Sequence, residues 1–567
     1  MVLEQLGDLV ESADGFRCNE QRPPHKNPSP HEFSWLNKSG EICPFVRCFG
    51  SGMGKRLRTI AAFWMYLWPG VALAEAEPAQ GAGISSVLKS VDDWFGSNVV
   101  GPLAQVLFFD LIFWDNGSDS DLKLPFIVFW LIAGAVFFTL RFGFINIRAF
   151  RHAWVVTTGH YDNPDDPGEV THFQALSSAL SATVGLGNIA GVAVAVAVGG
   201  PGAIFWMIVA GFLGMSSKFT ECTLGQMYRE IGEDGHILGG PMRYLQGGLA
   251  QLGLPRLGRF LAILFALMCI GGSFGGGNMF QANQSYAQVA DVLPFFAGGW
   301  GALAYGVILA FLVGVVIIGG IRRIGQVAGF IVPVMCGIYL VAGLFIIITN
   351  FDQVGPAFGK IVREAFTPEA GFGGALGVLV TGFRRAAFSN EAGVGSASIA
   401  HSAAATDEPV REGIVALLEP FIDTILVCTM TGLVVVITGA YEGGGHEGVL
   451  MTSKAFATVL PWFPKVLSLA VFLFAFSTMI SWSYYGERCW TFLFGPQFSM
   501  LYRMLFLAFI VFGSVLKLGN VIDFSDLMIL GMSFPNILGA VLLSGKVRVA
   551  LRSYWSRYKS GEMQPRG

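Results

Sequence analysis

Phe173-Gln-Ala-Leu-Ser-Ser-Ala-Leu-Ser-Ala-Thr-Val-Gly-Leu-Gly-Asn-Ile-Ala-Gly-Val-Ala-Val-Ala-Val-Ala-Val-Gly-Gly-Pro201 is the stretch on which the reading of this chain turns. About 20 apolar residues rising 1.5 Å each cross the ~30 Å core of a bilayer, and this stretch is long enough. Its centre, Val184 to Asn188, is nevertheless a poor helix, because each glycine costs about 1 kcal/mol relative to alanine. Irregular backbone at membrane depth persists only where protein or a water-filled cavity surrounds it. A break here frees carbonyls at the end of one half-helix and N–H groups at the start of the next. Carbonyls suit a cation; amide donors at the positive end of a helix dipole suit a carboxylate. The competing reading is structural, with the glycines serving close helix packing.

A second copy favours the first reading. Ala387-Phe-Ser-Asn-Glu-Ala-Gly-Val-Gly395 repeats the pattern of Ala179-Leu-Ser-Ala-Thr-Val-Gly-Leu-Gly187. Paired interruptions at corresponding places in two halves point to a transporter binding site.

Composition sets the class. The chain of 567 residues is 53% hydrophobic and 13% charged, with 74 glycines, whereas soluble domains carry about 25% charged residues. An all-α polytopic membrane protein is expected. Cys222, Cys269, Cys336 and Cys428 lie in apolar runs and read as small core residues, with neither a disulfide framework nor zinc-ligand spacing. No phosphate-binding Gly-rich loop, serine-hydrolase elbow or metalloprotease motif is present, which excludes a transport ATPase and points away from an enzyme.

Eleven spans are expected, at about 125–143, 173–198, 202–226, 259–289, 300–320, 326–349, 373–400, 412–438, 465–486, 500–517 and 524–545. Ahead of them, Met53 to Ala76 has a basic start, a short apolar run and an Ala-rich end, the layout of a signal peptide. Residues 1–76 are thus a leader, and 77–124 an amphipathic external segment. The first span and an inner loop fill 125–170, repeat 1 fills 171–350, repeat 2 fills 371–546, and 547–567 form a basic tail. Loops placed inside hold Arg148, Arg151, Arg229, Arg243, Arg322, Arg323 and Arg411, against Lys360, Arg363, Lys454 and Lys465 outside, which predicts N-out and C-in. The interrupted spans, second and seventh, then run in opposite directions and each opens a block of five. A five-plus-five inverted repeat after one extra helix follows.

Polar side chains at bilayer depth are functional candidates. Gln281, in Gly275-Gly-Gly-Asn-Met-Phe-Gln-Ala-Asn283, offers donor and acceptor to a zwitterion, or bridges two helices; Asn283 is a weaker candidate. Arg384, Arg385, Glu391 and Asp423 are expected to pair among themselves, and Lys218 with Glu221 one turn away. Direct cation coordination by Asp423 or Glu419 is the alternative. Ser477 and Thr478 carry hard oxygen donors suited to Na⁺, unless each hydroxyl bonds back to its own helix.

Leu180-Ser-Ala-Thr-Val-Gly-Leu-Gly-Asn-Ile-Ala-Gly191, Gly277-Asn-Met-Phe-Gln-Ala-Asn283 and Phe388-Ser-Asn-Glu-Ala-Gly-Val-Gly-Ser-Ala397 resemble the alanine/glycine:cation symporter family over about residues 125–550. The resemblance implies a leucine-transporter-type fold and cation-coupled uptake of alanine or glycine. It also implies Na⁺ held by the carbonyls of Ser181 and Val184 with Ser477 and Thr478, and a pocket lined by Thr183, Gln281, Phe388, Thr478 and Trp482. Ala386 stands where the family usually has Gly. The expectation is therefore an inner-membrane Na⁺ symporter for a small neutral amino acid, needing no cofactor and no nucleic-acid partner, and monomeric. The substrate carboxylate would rest on the amides of Leu186 and Gly187, beside Asn188. A cation-independent exchanger, and more remotely a channel, are the alternative readings.

Overall fold

The computed structural model describes residue 93 and residues 95–112, 123–163, 165–232, 236–297, 300–366, 374–442 and 448–563. The expected leader and signal peptide lie outside the described residues. Helices dominate from Phe126 onward: α1 (Phe126–Arg141), α2 (His172–Thr183), α3 (Gly187–Gly199), α4 (Gly202–Met227), α5 (Pro255–Val292), α6 (Gly301–Ile317), α7 (Gly320–Thr349), α8 (Phe351–Phe366), α9 (Gly374–Asn390), α10 (Ala397–His401), α11 (Pro409–Thr438), α12 (Val449–Val459), α13 (Phe463–Phe494), α14 (Pro496–Val515) and α15 (Leu518–Ser560).

Seven of these, α4, α5, α7, α11, α13, α14 and α15, are long and apolar enough to cross a membrane among the described residues. The pair α2–α3, bent by 51°, makes an eighth. The chain is a multi-pass membrane protein. Each of the eleven stretches expected to span holds a helix, the second and seventh interrupted, but α1 and α6 have 16 and 17 residues, short of the ~20 that cross unaided. Outward faces of α6, α7 and α14 carry exposed Phe311, Phe330, Val341, Ile348 and Met504, the apolar surface lipid requires.

Helices extend beyond the expected spans. Stretches read as outer loops contain α8 and α12. α8 packs on α4, where the Trp206 indole donates to the Ala365 carbonyl at 3.1 Å. The basic stretch that follows the last span continues α15 as helix as far as Ser560. Of the 77–124 segment, the described part is helical over 95–107 and packs on the start of α15, with the rings of Phe95 and Phe524 5.2 Å apart.

The two interruptions fall where the copies predict. α2 starts on a capping box, in which Gln174 N–H donates to the Thr171 hydroxyl and Thr171 N–H to the Gln174 side chain. It ends at Thr183, and the backbone leaves helical geometry over Val184–Leu186. α9 ends at Asn390, and the chain turns through Glu391 at φ +54°, Gly393 at +86° and Gly395 at +94° before α10. A left-handed backbone is routine for glycine and uncommon for a glutamate. α4 and α13 run through the centre, α4 against α9, α10 and α11, and α13 against α2, α5 and α7.

Candidate functional site

At the first break the backbone hydrogen bonds are redirected. The Gly185 N–H, which a continuous helix would aim at the Ser181 carbonyl, donates to Asn188 Oδ1 at 2.9 Å. The Leu186 N–H donates to Gln281 Oε1 at 3.2 Å, and the Asn188 N–H to the Gly185 carbonyl. The carbonyls of Ser181, Ala182 and Val184 thereby lose their helical donors. Facing them from α13 is Thr478, whose buried hydroxyl has no hydrogen-bond partner among the described residues. A Cβ on Gly185 would stand 2.4 Å from that oxygen, so only glycine lets α13 come this close.

Beside the break lies a small pocket of about 10 Å³, room for roughly one water, lined among others by Thr183, Gly187, Gln281, Phe388, Glu391 and Trp482. Ala182, Gly276 and Ile529 complete its wall. The Trp482 indole N–H donates to Glu391 Oε1 at 3.0 Å, and the Ser396 hydroxyl donates to Glu391 Oε2. Gly276 and Gly277 make space for rings and an isoleucine rather than for backbone. A Cβ on Gly277 would meet the Trp482 side chain at 2.4 Å, and one on Gly276 would meet Ile529 at 2.3 Å. The Gln281 amide is held by the Gly276 carbonyl at 2.9 Å.

The sequence profile of the sodium:alanine symporter family matches residues 115–566. The chain belongs to that family. It is a transporter, not an enzyme. The sodium/alanine symporter AgcS of Methanococcus maripaludis is 41% identical over 438 residues, 76% of this chain and 94% of that protein. A probable sodium/glutamine symporter, GlnT of Bacillus subtilis, is 35% identical over 436 residues, 76% of this chain and 88% of its own length. Among solved structures, MhsT in complex with L-phenylalanine aligns over 66% of this chain and 88% of its own, at 17% identity and a TM-score of 0.45.

In this symporter the expected site residues divide. Thr183, Gly187, Gln281, Phe388 and Trp482 meet at the pocket, and Ser181, Val184 and Thr478 meet at the neighbouring break. Ser477 donates its hydroxyl to the Phe474 carbonyl at 3.0 Å, the local back-bond, while its own carbonyl accepts from the Ser181 hydroxyl at 2.8 Å. Thr183 also bonds back, to the Ala179 carbonyl. Leu186 spends its N–H on Gln281, so of the two amides expected to hold a carboxylate Gly187 alone faces the pocket. Asn283 is not at the pocket: its amide donates to the carbonyls of Gly513 on α14 and Leu516 just after it.

Asn188 has a different place from the one expected. Its amide nitrogen donates to Asp423 Oδ1 at 2.6 Å, and Asp423 Oδ2 accepts from the hydroxyls of Ser389 at 3.0 Å and Thr424 at 2.6 Å. Asn188 follows the first break and Ser389 precedes the second, so one fully buried carboxylate ties both interruptions to α11. It sits in a wide-turned stretch of that helix, Phe421–Cys428, a distortion frequent at functional sites.

The expected charge pairings are wrong in partner, and only that of Lys218 with Glu221 comes from spacing. Arg384 and Arg385 bind Asp526 on α15, not Glu391 or Asp423. Lys218 binds Glu419 at 2.8 Å, not Glu221, whose Oε1 accepts from Asn536. Spacing along one helix ranks only neighbours on that helix, and each real partner comes from another. The sequence reading also missed His172 and His401, which both bond Glu412, His401 Nδ1 at 2.5 Å. His172, His401, Glu412, Lys218 and Glu419 are fully buried and join the start of α2 to α4, α10 and α11. On the far side of the break, α12 lies across it, with Thr452 donating to the Ile189 carbonyl at 3.0 Å and Gln284 accepting from the Val449 N–H.

Proposed function

We propose that this symporter imports a small neutral amino acid, alanine in the first place, together with Na⁺, across the bacterial inner membrane with its C-terminus inside. The observation that carries the reading is the conjunction at the first break: carbonyls of Ser181 and Val184 without helical donors, beside the unpartnered Thr478 hydroxyl. An all-oxygen set of this kind suits a hard cation, and Ser477 joins it if its hydroxyl turns from the Phe474 carbonyl. The amino acid sits next door, its carboxylate toward Gly187 and its ammonium toward Gln281 Oε1, with Phe388 and Trp482 limiting its side chain.

Na⁺ and substrate share one broken helix, so a cation that orders Val184–Leu186 prepares the amide end for the carboxylate. Coupling requires Na⁺ to favour one conformation over the other, since equal affinity shifts nothing. The paired breaks at Val184–Leu186 and Glu391–Gly395 support a five-plus-five inverted repeat of the leucine-transporter type, moving about Asp423, with α12 on one face and the His172–Lys218 network on the other. Residues 171–350 and 371–546 form the repeats, and Met53–Ala76 a signal peptide. The test is uptake of labelled alanine into proteoliposomes. Accumulation with an inward Na⁺ gradient and none without it supports the reading. Accumulation driven only by unlabelled alanine inside, indifferent to Na⁺, means an exchanger.

A further inference from the structure

Away from this site, the end of α1 and the last turns of α15 enclose a surface cavity of about 500 Å³. Arg141 and Arg148 line it from one side, and Arg548, Arg552 and Lys559 from the other, with Trp555 among them. No acidic residue lines it, and among the described residues none of the five cations has a carboxylate in ion-pair range. Arg148 reaches only the Gly143 carbonyl, at 3.4 Å, and the Trp555 ring, 6.0 Å from its centroid. The contrast is on the same helix: Arg557 is held by both oxygens of Glu408, at 2.6 and 2.9 Å.

A general excess of Lys and Arg at a membrane boundary scatters charge over loops that water solvates. Here five like charges from two elements far apart in sequence converge on one cavity, where they repel one another unless an anion enters. The helices that reach the cavity are apolar on the outside. Val136, Phe137 and Leu140 of α1 and Leu542 and Val549 of α15, next to the lining residues or in the turns leading to them, are exposed. A free phosphate has no use for such a surface; a molecule with a phosphate head and hydrocarbon tails uses both parts.

We propose that this cavity binds the headgroup of an anionic phospholipid, its phosphate among the arginines and its acyl chains along α1 and α15. Basic pockets between spanning helices are where such headgroups dock. Arg presents paired N–H donors to phosphate oxygens, and Trp suits the interface. The lipid clamps the first helix to the last, outside the transport site.

Native mass spectrometry of the full chain in detergent, titrated with phosphatidylglycerol or cardiolipin and separately with phosphatidylcholine, tests this. The wild type is expected to retain the anionic lipids over phosphatidylcholine. Arg548→Gln with Arg552→Gln should weaken that retention roughly thirtyfold at low ionic strength. Equal retention of phosphatidylcholine by the wild type overturns the proposal, and needs no variant. So does undiminished retention in the double variant. Competition by millimolar inorganic phosphate that displaces the lipid fully and gives the same thermal stabilisation identifies a soluble-anion site instead, and also overturns it.

Discussion

Thr478 and Trp482 stand one turn apart on α13, and they divide the work at the residue scale. Thr478 offers a buried hydroxyl that nothing in the described protein satisfies, against the carbonyls released at the first break. An unsatisfied buried polar group costs about 1–3 kcal/mol, a cost worth carrying where a ligand completes the set. Thr478→Val keeps the shape and replaces the oxygen by a methyl. The half-saturating Na⁺ concentration for alanine uptake is expected to rise roughly 10–100-fold, with the alanine dependence recovering at high Na⁺ by mass action. An unshifted Na⁺ dependence would remove Thr478 from the cation site and turn attention to Asp423. Trp482 is held by its bond to Glu391 and packs over Gly277. Trp482→Ala should admit leucine-sized substrates, changing the alanine-to-leucine preference by about 10–200-fold, the range that a methylene or two is worth in a pocket. Unchanged preference in competition uptake would mean the ring does not limit substrate size.

Among the elements, α2, α4, α10 and α11 are joined by buried polar contacts that no single helix reveals. Lys218, Glu419, His401, Glu412 and His172 form a run of contacts from α4 through α11 and α10 to the first turn of α2. All five are fully buried, so Lys218 and Glu419 depend on each other rather than on water. Removing one partner strands the other. Lys218→Met should destabilise the protein by about 3–5 kcal/mol, read as a lower unfolding temperature in detergent. Lys218→Met with Glu419→Leu should recover most of that loss, because no stranded carboxylate remains. A single variant as stable as the wild type would mean that water, not Lys218, solvates Glu419. The same network bears on transport, since α2 cannot swing from α11 without breaking the bond of His172 to Glu412.

For the whole molecule, orientation decides which end of the broken helix meets the outside. The excess of Lys and Arg in alternate loops, and on the last turns of α15, is the ground for the proposed C-terminus inside. A reporter fused after Ser560 should read cytoplasmic, and one placed after Ala76 should read external. A periplasmic reading at the C-terminal fusion, with the N-terminal one external, would mean that the span count is off by an odd number, and the antiparallel pairing of the two halves would fail with it. The sequence by itself determined the class, the family likeness and the positions of both breaks, because each rests on local composition. Apolar runs, glycine's cost in a helix and a repeated nine-residue pattern act within a few residues of one another. It also picked out Thr183, Gln281, Phe388 and Trp482, which lie on four separate stretches and meet at one pocket. Only the tertiary structure decided the partners. That Asn188 and Ser389 share Asp423, that Arg384 and Arg385 turn to Asp526, and that Lys218 reaches Glu419 depends on which helices pack together. Helical periodicity says which face a side chain occupies, not whose face it meets. Burial then makes the meeting obligatory, since a charge cut off from water must take the partner that packing supplies.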